Sequence, residues 1–240
     1  MKGVILAGGT GTRMRPLTQI MNKHMLPIGR YPMIHYAIQK MADAGIRDIL
    51  LVIGKQSAGL YVDYLGSGNK WEVSLTYKIQ EQAGGIAQAL ALAEGFIPSG
   101  ERMLVLLGDN LFEDDLSPYI RQYASQKHGA RVLLKEVRDP KRYGVAVVDG
   151  NRIDRIEEKP EQPLSPYAVT GIYMYRSDVF EVIRALNPSK RGELEITDVN
   201  NVYAAEGSLQ YDMLKGWWTD AGTHASLYEA ILRFAKDDEE

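Results

Sequence analysis

The chain contains no cysteine. Disulfides, thiolate metal sites and a cysteine nucleophile are therefore excluded. Positive charge is not in surplus: 28 Lys and Arg stand against 31 Asp and Glu, a net charge of −3. No nucleic-acid partner is expected of such a chain, and any anion site must be a local positive spot on a mildly acidic body. No apolar run approaches the length that spans a bilayer, so no membrane partner is expected. The N-terminus offers one lysine and a short apolar run, too little for a secretory signal, and the expected location is the cytoplasm. The four histidines are scattered without metal-ligand spacing, and His224 reads as structural. No Gly-x-Ser-x-Gly elbow supports a serine nucleophile.

What is present is ordinary for a globular protein: 45% hydrophobic and 25% charged residues over 240 positions. No repeat, low-complexity segment or clear linker breaks the chain, which reads as a single domain. Residues 2–6, 48–53 and 103–107 are short apolar runs, the signature of buried strands. Val73, Leu75, Tyr77 and Ile79 alternate with polar residues as another strand would. Between them lie helical patterns: Pro32 opens one whose apolar face carries Met33, Ile34, Ala37, Ile38 and Met41, and Gly45 stops it; others cover 57–65 and 85–95. Alternation of this kind predicts a parallel sheet with covering helices.

After Asp109 the pattern loosens. A helix starts at Ser117-Pro118 and is expected to end at Gly129. Residues 130–137, 145–148, 153–157 and 168–175 read as strands, 160–166 as a proline-rich loop. Ser177 is expected to cap one helix, 195–206 to form another, and Thr223 to cap a last one with Leu227, Ile231 and Phe234 on its apolar face. The acidic tail 237–240 is expected to fray.

Residues 7–16, Ala-Gly-Gly-Thr-Gly-Thr-Arg-Met-Arg-Pro, follow the first apolar run directly. Glycine lets backbone approach a ligand closely, and arginine carries a fork of donors that matches phosphate. The loop reads either as a phosphate site or as a turn with a solvated basic patch. It is no P-loop, because no Lys-Ser or Lys-Thr follows the last glycine. It is no dinucleotide fingerprint either, because Met14 stands where the third glycine should be. In open parallel sheets ligands bind past the carboxyl ends of the strands, where this loop and Gly108-Asp109-Asn110 both lie. Asp109 is either part of a turn or a carboxylate holding a divalent metal over phosphates; Asp220 is either a helix cap or a second such ligand. Lys23, Lys159 and Arg191 read, singly, as solvated side chains or a helix start.

Taken together the motifs resemble a known family. Gly8-Gly9-Thr10-Gly11-Thr12-Arg13-Met14-Arg15-Pro16-Leu17-Thr18, then Lys23 and Leu26-Pro27, is similar to the signature of the sugar-1-phosphate nucleotidylyltransferases. Gln80 with Gly85-Ile86-Ala87-Gln88-Ala89, Leu107-Gly108-Asp109-Asn110, Arg142-Tyr143-Gly144-Val145, Glu157-Glu158-Lys159-Pro160, Val169-Thr170-Gly171, residues 191–198 and Trp218-x-Asp220-x-Gly222-Thr223-His224 narrow the resemblance to the short-form glucose-1-phosphate thymidylyltransferases. The motifs run in order from residue 1 to about 235. Gly84 departs from the usual acidic residue and Ala221 from the usual threonine. Long members continue with a further helical segment that helps to build a regulatory site, and that site is expected to be missing.

The resemblance implies a Rossmann-like α/β fold of the nucleotide-diphospho-sugar transferase type, a mixed, mostly parallel sheet with helices on both faces. Residues 1–110 would form mainly the nucleotide half, and 111–240 mainly the sugar-phosphate half and closing helix. The implied reaction joins dTTP and glucose 1-phosphate into dTDP-glucose and pyrophosphate; the rivals are UTP, CTP or another hexose phosphate, and a non-catalytic nucleotide-sugar module. Arg13 and Lys23 would neutralise the triphosphate, Asp109 and Asp220 hold Mg²⁺, and Lys159 hold the attacking phosphate. Leu6, Gly8, Gly9, Gly11 and Thr12 would line the nucleotide and Gln80 and Gly85 read its base. Tyr143, Gly144, Glu158, Val169, Arg191 and Trp218 would line the sugar phosphate. A homo-oligomer is implied as well.

Overall fold

In a computed structural model, which describes residues 1–237, nine strands form one mixed sheet. One edge is parallel: Ser74–Gln80, Asp48–Gly54, Lys2–Ala7 and Arg102–Leu107 lie side by side in that order. Tyr167–Arg176 then runs antiparallel to Arg102–Leu107. Beyond it come Ala130–Glu136, Leu209–Met213, Arg152–Glu158 and Gly144–Asp149, of which only the first two pair in parallel. The parallel part is thus the segment where strand and helix alternate in sequence, and the later strands join by mostly antiparallel ladders.

The apolar runs have a simple cause. In Lys2–Ala7, Val4 and Leu6 face one core while Ile5 and Ala7 face another, so both faces of the strand are buried and no polar alternation survives. The first core is covered by helices Ile86–Ala91, Val179–Ala185 and Ile196–Ala205. The second is covered by Met33–Asp43, Ala58–Leu65 and Ser117–Ser125. A third, smaller core joins Met14, Leu26, Ile28, Met33, Leu111 and Ala221 to Leu227 and Ala230 of the last helix, His224–Asp237. That core anchors the glycine-rich loop: Met14 is fully buried between exposed Arg13 and Arg15. Ala221 is also fully buried there, where a threonine hydroxyl would need a partner.

Several expectations are corrected. The helix expected over 85–95 is regular only over Ile86–Ala91, and the one expected to reach Gly129 ends at Ser125. Ser177 caps no helix; its Oγ accepts the Gly100 N–H at 2.8 Å, and Asp178 takes the cap position. Leu209–Met213 forms a strand that no expectation covered, although Leu209, Tyr211 and Met213 alternate with Gln210 and Asp212. Both are met by Arg131 on the neighbouring strand, at 2.5 and 2.6 Å. Thr223 does cap the last helix, its Oγ1 accepting the Ser226 N–H. Residues 238–240 of the tail expected to fray lie outside the described residues. No described helix is long and apolar enough to cross a membrane.

Candidate active site

The loop after Lys2–Ala7 bends at Gly11, whose φ of +65° falls in the left-handed region that favours glycine. Thr12–Met14 then forms one 3₁₀ turn. Thr18 Oγ1 donates to the Gly11 carbonyl at 2.7 Å and fixes the bend. Among the described residues the N–H groups of Gly9 through Arg13 donate to nothing, which leaves a row of backbone donors at a strand end, as in anion-binding nests. A Cβ on Gly8 would lie 2.1 Å from Gln80 Oε1, so the bare backbone lets the Gln80 amide close against the loop. Leu6 is buried below it, and its carbonyl accepts the Gly108 N–H at 2.9 Å, tying this loop to the one that carries Asp109.

Lys23 is not solvated. It is 8% exposed, and its Nζ meets Asp109 Oδ2 at 2.6 Å. Asn110 Nδ2 donates to the other carboxylate oxygen at 3.0 Å. Burial works against the charge of Asp109, but the Lys23 ammonium and these hydrogen bonds outweigh it and hold the carboxyl well below the usual range. His24 beside it is buried and kept neutral, its pKa lowered to about 3 by burial first and Lys23 second.

Asp220 stands next to Asp109. Trp218–Asp220 pairs antiparallel with Asn110–Phe112, placing Asp220 opposite Asn110, and the Asp109 carbonyl accepts the Ala221 N–H at 2.9 Å. Asp220 Oδ1 accepts from Tyr143 Oη at 3.1 Å and from Arg142 at 3.3 Å. Burial, then the charge of Asp109, push its pKa up. The two carboxyls therefore feel each other. Two carboxylates brought together where Asn110–Phe112 begins and Trp218–Asp220 ends suit a small hard cation whose other ligands come from outside the chain. Among the described residues no group of three acidic or histidine side chains gathers into a self-sufficient metal cage. Arg13 also faces this corner: a Cβ on Gly222 would lie 3.0 Å from its guanidinium and 3.2 Å from Asp220 Oδ2.

From Asp220 the site continues through Tyr143, whose ring meets Trp218 edge-on at 5.4 Å. Trp218 is buried and donates from Nε1 to Asn110. Gly144 begins the strand after Tyr143, beside Glu158. Glu158 Oε2 accepts from Thr197, and its Oε1 lies 3.1 Å from Lys159 and 3.8 Å from Arg191. Lys159 takes a φ of +46°, a strained value for a non-glycine residue, with its N–H donating to the Tyr143 carbonyl at 3.0 Å. Arg191 is held by Glu195 at 2.8 Å. Val169 is half-buried at a register shift in Tyr167–Arg176 and makes no polar link to this cluster. The geometry thus joins one end, from the glycine-rich loop to Gln80, to another rich in Glu158, Lys159 and Arg191, with the aspartates between.

A family model for nucleotidyl transferases matches residues 2–237. The chain belongs to the nucleotidyl transferase family. A glucose-1-phosphate thymidylyltransferase of Neisseria meningitidis is 42% identical over 96% of the chain and 81% of its own length. One from Xanthomonas campestris is 44% identical over 95% and 79%. A solved structure from Bacillus anthracis, provisionally assigned as the same enzyme and in complex with sucrose, is 55% identical over 99% of the chain and 96% of its own, with a TM-score of 0.94. A UDP-glucose pyrophosphorylase complexed with UDP-glucose is 27% identical over 98% of each chain, with a TM-score of 0.86.

Sequence reasoning gave no role to several side chains of the candidate site. Asn110 Oδ1 takes two donors, the Gly171 N–H and Trp218 Nε1–H, each at 2.8 Å, while its Nδ2 steadies Asp109. Arg142 neutralises Asp220, and Thr197 orients Glu158. Each sits inside or beside a recognised motif, which was the available signal. Asp109 apart, which is the neighbour of Asn110, their partners lie 39 to 108 positions away in sequence, beyond any local pattern.

Proposed function

We propose that the protein transfers a thymidylyl group from dTTP to glucose 1-phosphate. An oxygen of the sugar phosphate bonds to the α-phosphorus of dTTP, the bond from that phosphorus to the bridging oxygen breaks, and pyrophosphate leaves in line. The carrying observation is the Asp109–Asp220 corner, flanked by Lys23 and Arg13 on the loop side and, past Tyr143, by Lys159 and Arg191. Two separate groups of cations suit two phosphorylated substrates that repel each other. The attacking phosphate is already ionised at neutral pH, so positioning and charge neutralisation carry the catalysis.

Each residue then has a task. The free N–H groups of residues 9–13 bind the triphosphate, and Arg13 and Lys23 neutralise it. Lys159 holds the attacking phosphate; Glu158, Tyr143, Gly144, Val169, Arg191 and Trp218 line the sugar side. Asp109 and Asp220 would hold Mg²⁺, which supplies charge neutralisation at the α-phosphate when bound. Gln80 and the Gly85 N–H read the base. Residues 1–110 serve mainly the nucleotide and 111–240 mainly the sugar phosphate. We infer a cytoplasmic homo-oligomer; exposed Ile20, Tyr228 and Leu232 offer apolar surface for a second copy to cover.

Thymine and uracil differ by one ring methyl, ~0.8 kcal/mol when buried, so UTP should serve as a weaker second substrate and CTP poorly. Pyrophosphate release from a panel of nucleotides with glucose 1-phosphate tests the reading. No release with any nucleotide, or a kcat/KM for CTP equal to that for dTTP, would overturn it.

A further inference from the structure

Gln80 has an amide, and a free amide can turn to present either its oxygen or its nitrogen to a base. Here it is not free. Gln80 Nε2 donates to Gln88 Oε1 at 2.6 Å and points at the Gly85 carbonyl at 3.5 Å. Gln88 Oε1 also accepts the Gly84 N–H at 3.2 Å. A backbone N–H only donates and a backbone carbonyl only accepts, so the main chain sets the sense of both amides. Gln80 Oε1 is left as the outward atom, lying over Gly8 with no donor to it among the described residues. Gly84 leaves room beside Gln88: a Cβ on Gly84 would lie 2.7 Å from the Gln88 amide carbon, and the amide would have to shift.

We propose that Gln88 is a specificity-determining positioning residue, which locks Gln80 as a hydrogen-bond acceptor and so selects pyrimidines that carry a proton on N3. Beside that acceptor the Gly85 N–H is a fixed donor, without a partner among the described residues. The pair matches the imide edge of thymine or uracil, a ring N–H flanked by carbonyls. Cytosine in the same seat presents an unprotonated N3, which sets acceptor against acceptor. Gln88 itself touches no substrate. The inference rests on the assignment of Gln80 and Gly85 to the base under the proposed function.

The test is kcat/KM for dTTP, UTP and CTP at fixed glucose 1-phosphate in the wild-type protein, Gln88→Met and Gln88→Glu. Gln88→Met removes the acceptor and frees Gln80 to turn, so the dTTP:CTP ratio should fall about tenfold, the scale of one hydrogen-bond mismatch. The dTTP:UTP ratio should stay within about twofold, because both bases share the imide edge. Gln88→Glu keeps an acceptor for both donors and should retain the wild-type dTTP:CTP ratio. General damage to the site would lower all three nucleotides together and leave both ratios unmoved, which would overturn the lock. Should Gln88→Met fail to fold, Gln88→Ala answers the same question. A wild-type protein that prefers CTP, or uses none of the three, defeats the proposed function and the lock with it. A wild-type preference for dTTP that survives in folded Gln88→Met or Gln88→Ala defeats the lock alone.

Discussion

Asn110→Ala probes how the aspartate corner is held. Asn110 is 4% exposed and its Oδ1 satisfies two buried donors, Gly171 N–H and Trp218 Nε1–H. Truncation leaves both without a partner, at about 1–3 kcal/mol each, so a total loss of roughly 2–5 kcal/mol is expected. The same change removes the Nδ2–H that steadies Asp109, so turnover should fall as well. Removing both partners of a hydrogen bond costs less than removing one. Adding Trp218→Phe to Asn110→Ala should therefore recover about 1 kcal/mol relative to the sum of the two single changes. Urea unfolding followed by far-ultraviolet circular dichroism measures all four proteins without depending on the tryptophan. A loss under about 1 kcal/mol for Asn110→Ala, or single changes that add within ~0.5 kcal/mol, would refute the reasoning.

Asp109→Asn and Asp220→Asn should each cost at least ~100-fold in turnover, the scale of removing a transition-state charge stabiliser, with the fold retained; unchanged turnover at saturating Mg²⁺ removes that residue from the site. Arg13→Ala should lower kcat more than it weakens sugar-phosphate binding, whereas Lys159→Ala should chiefly raise KM for glucose 1-phosphate, and equal losses on both substrates would defeat the separation of roles. His24 has a folded pKa near 3 against about 6.5 unfolded, so its contribution to stability is complete above about pH 6.5 and is lost as the pH falls towards 3. That amounts to about 2–3 kcal/mol between pH 7 and pH 4.5, with His35, lowered to about 4, adding in the same window. His24→Gln should flatten the fall of urea midpoint with acid, and an unchanged slope contradicts the burial argument.

Much of this protein is determined locally. Val4-Ile5-Leu6, 48–53 and 103–107 are apolar without alternation because both of their faces are covered, and that requirement is written in the residues themselves. The glycines and arginines of 7–16 mark a loop that bends and concentrates positive charge, and the order of the motifs points to the family. Tertiary structure alone decided the rest. Leu209–Met213 lies beside Ala130–Glu136, and there Arg131 meets both Gln210 and Asp212. Lys23 becomes a buried counter-ion only because the sheet brings Asp109 to it across 86 positions. Arg142 and Tyr143 converge on Asp220, Asn110 unites Gly171 with Trp218, and Gln88 fixes the sense of Gln80. Periodicity encodes which side of an element is buried. It carries no record of which polar atom waits on the other side, because that depends on where the sheet sets each strand and on donors and acceptors finding one another there.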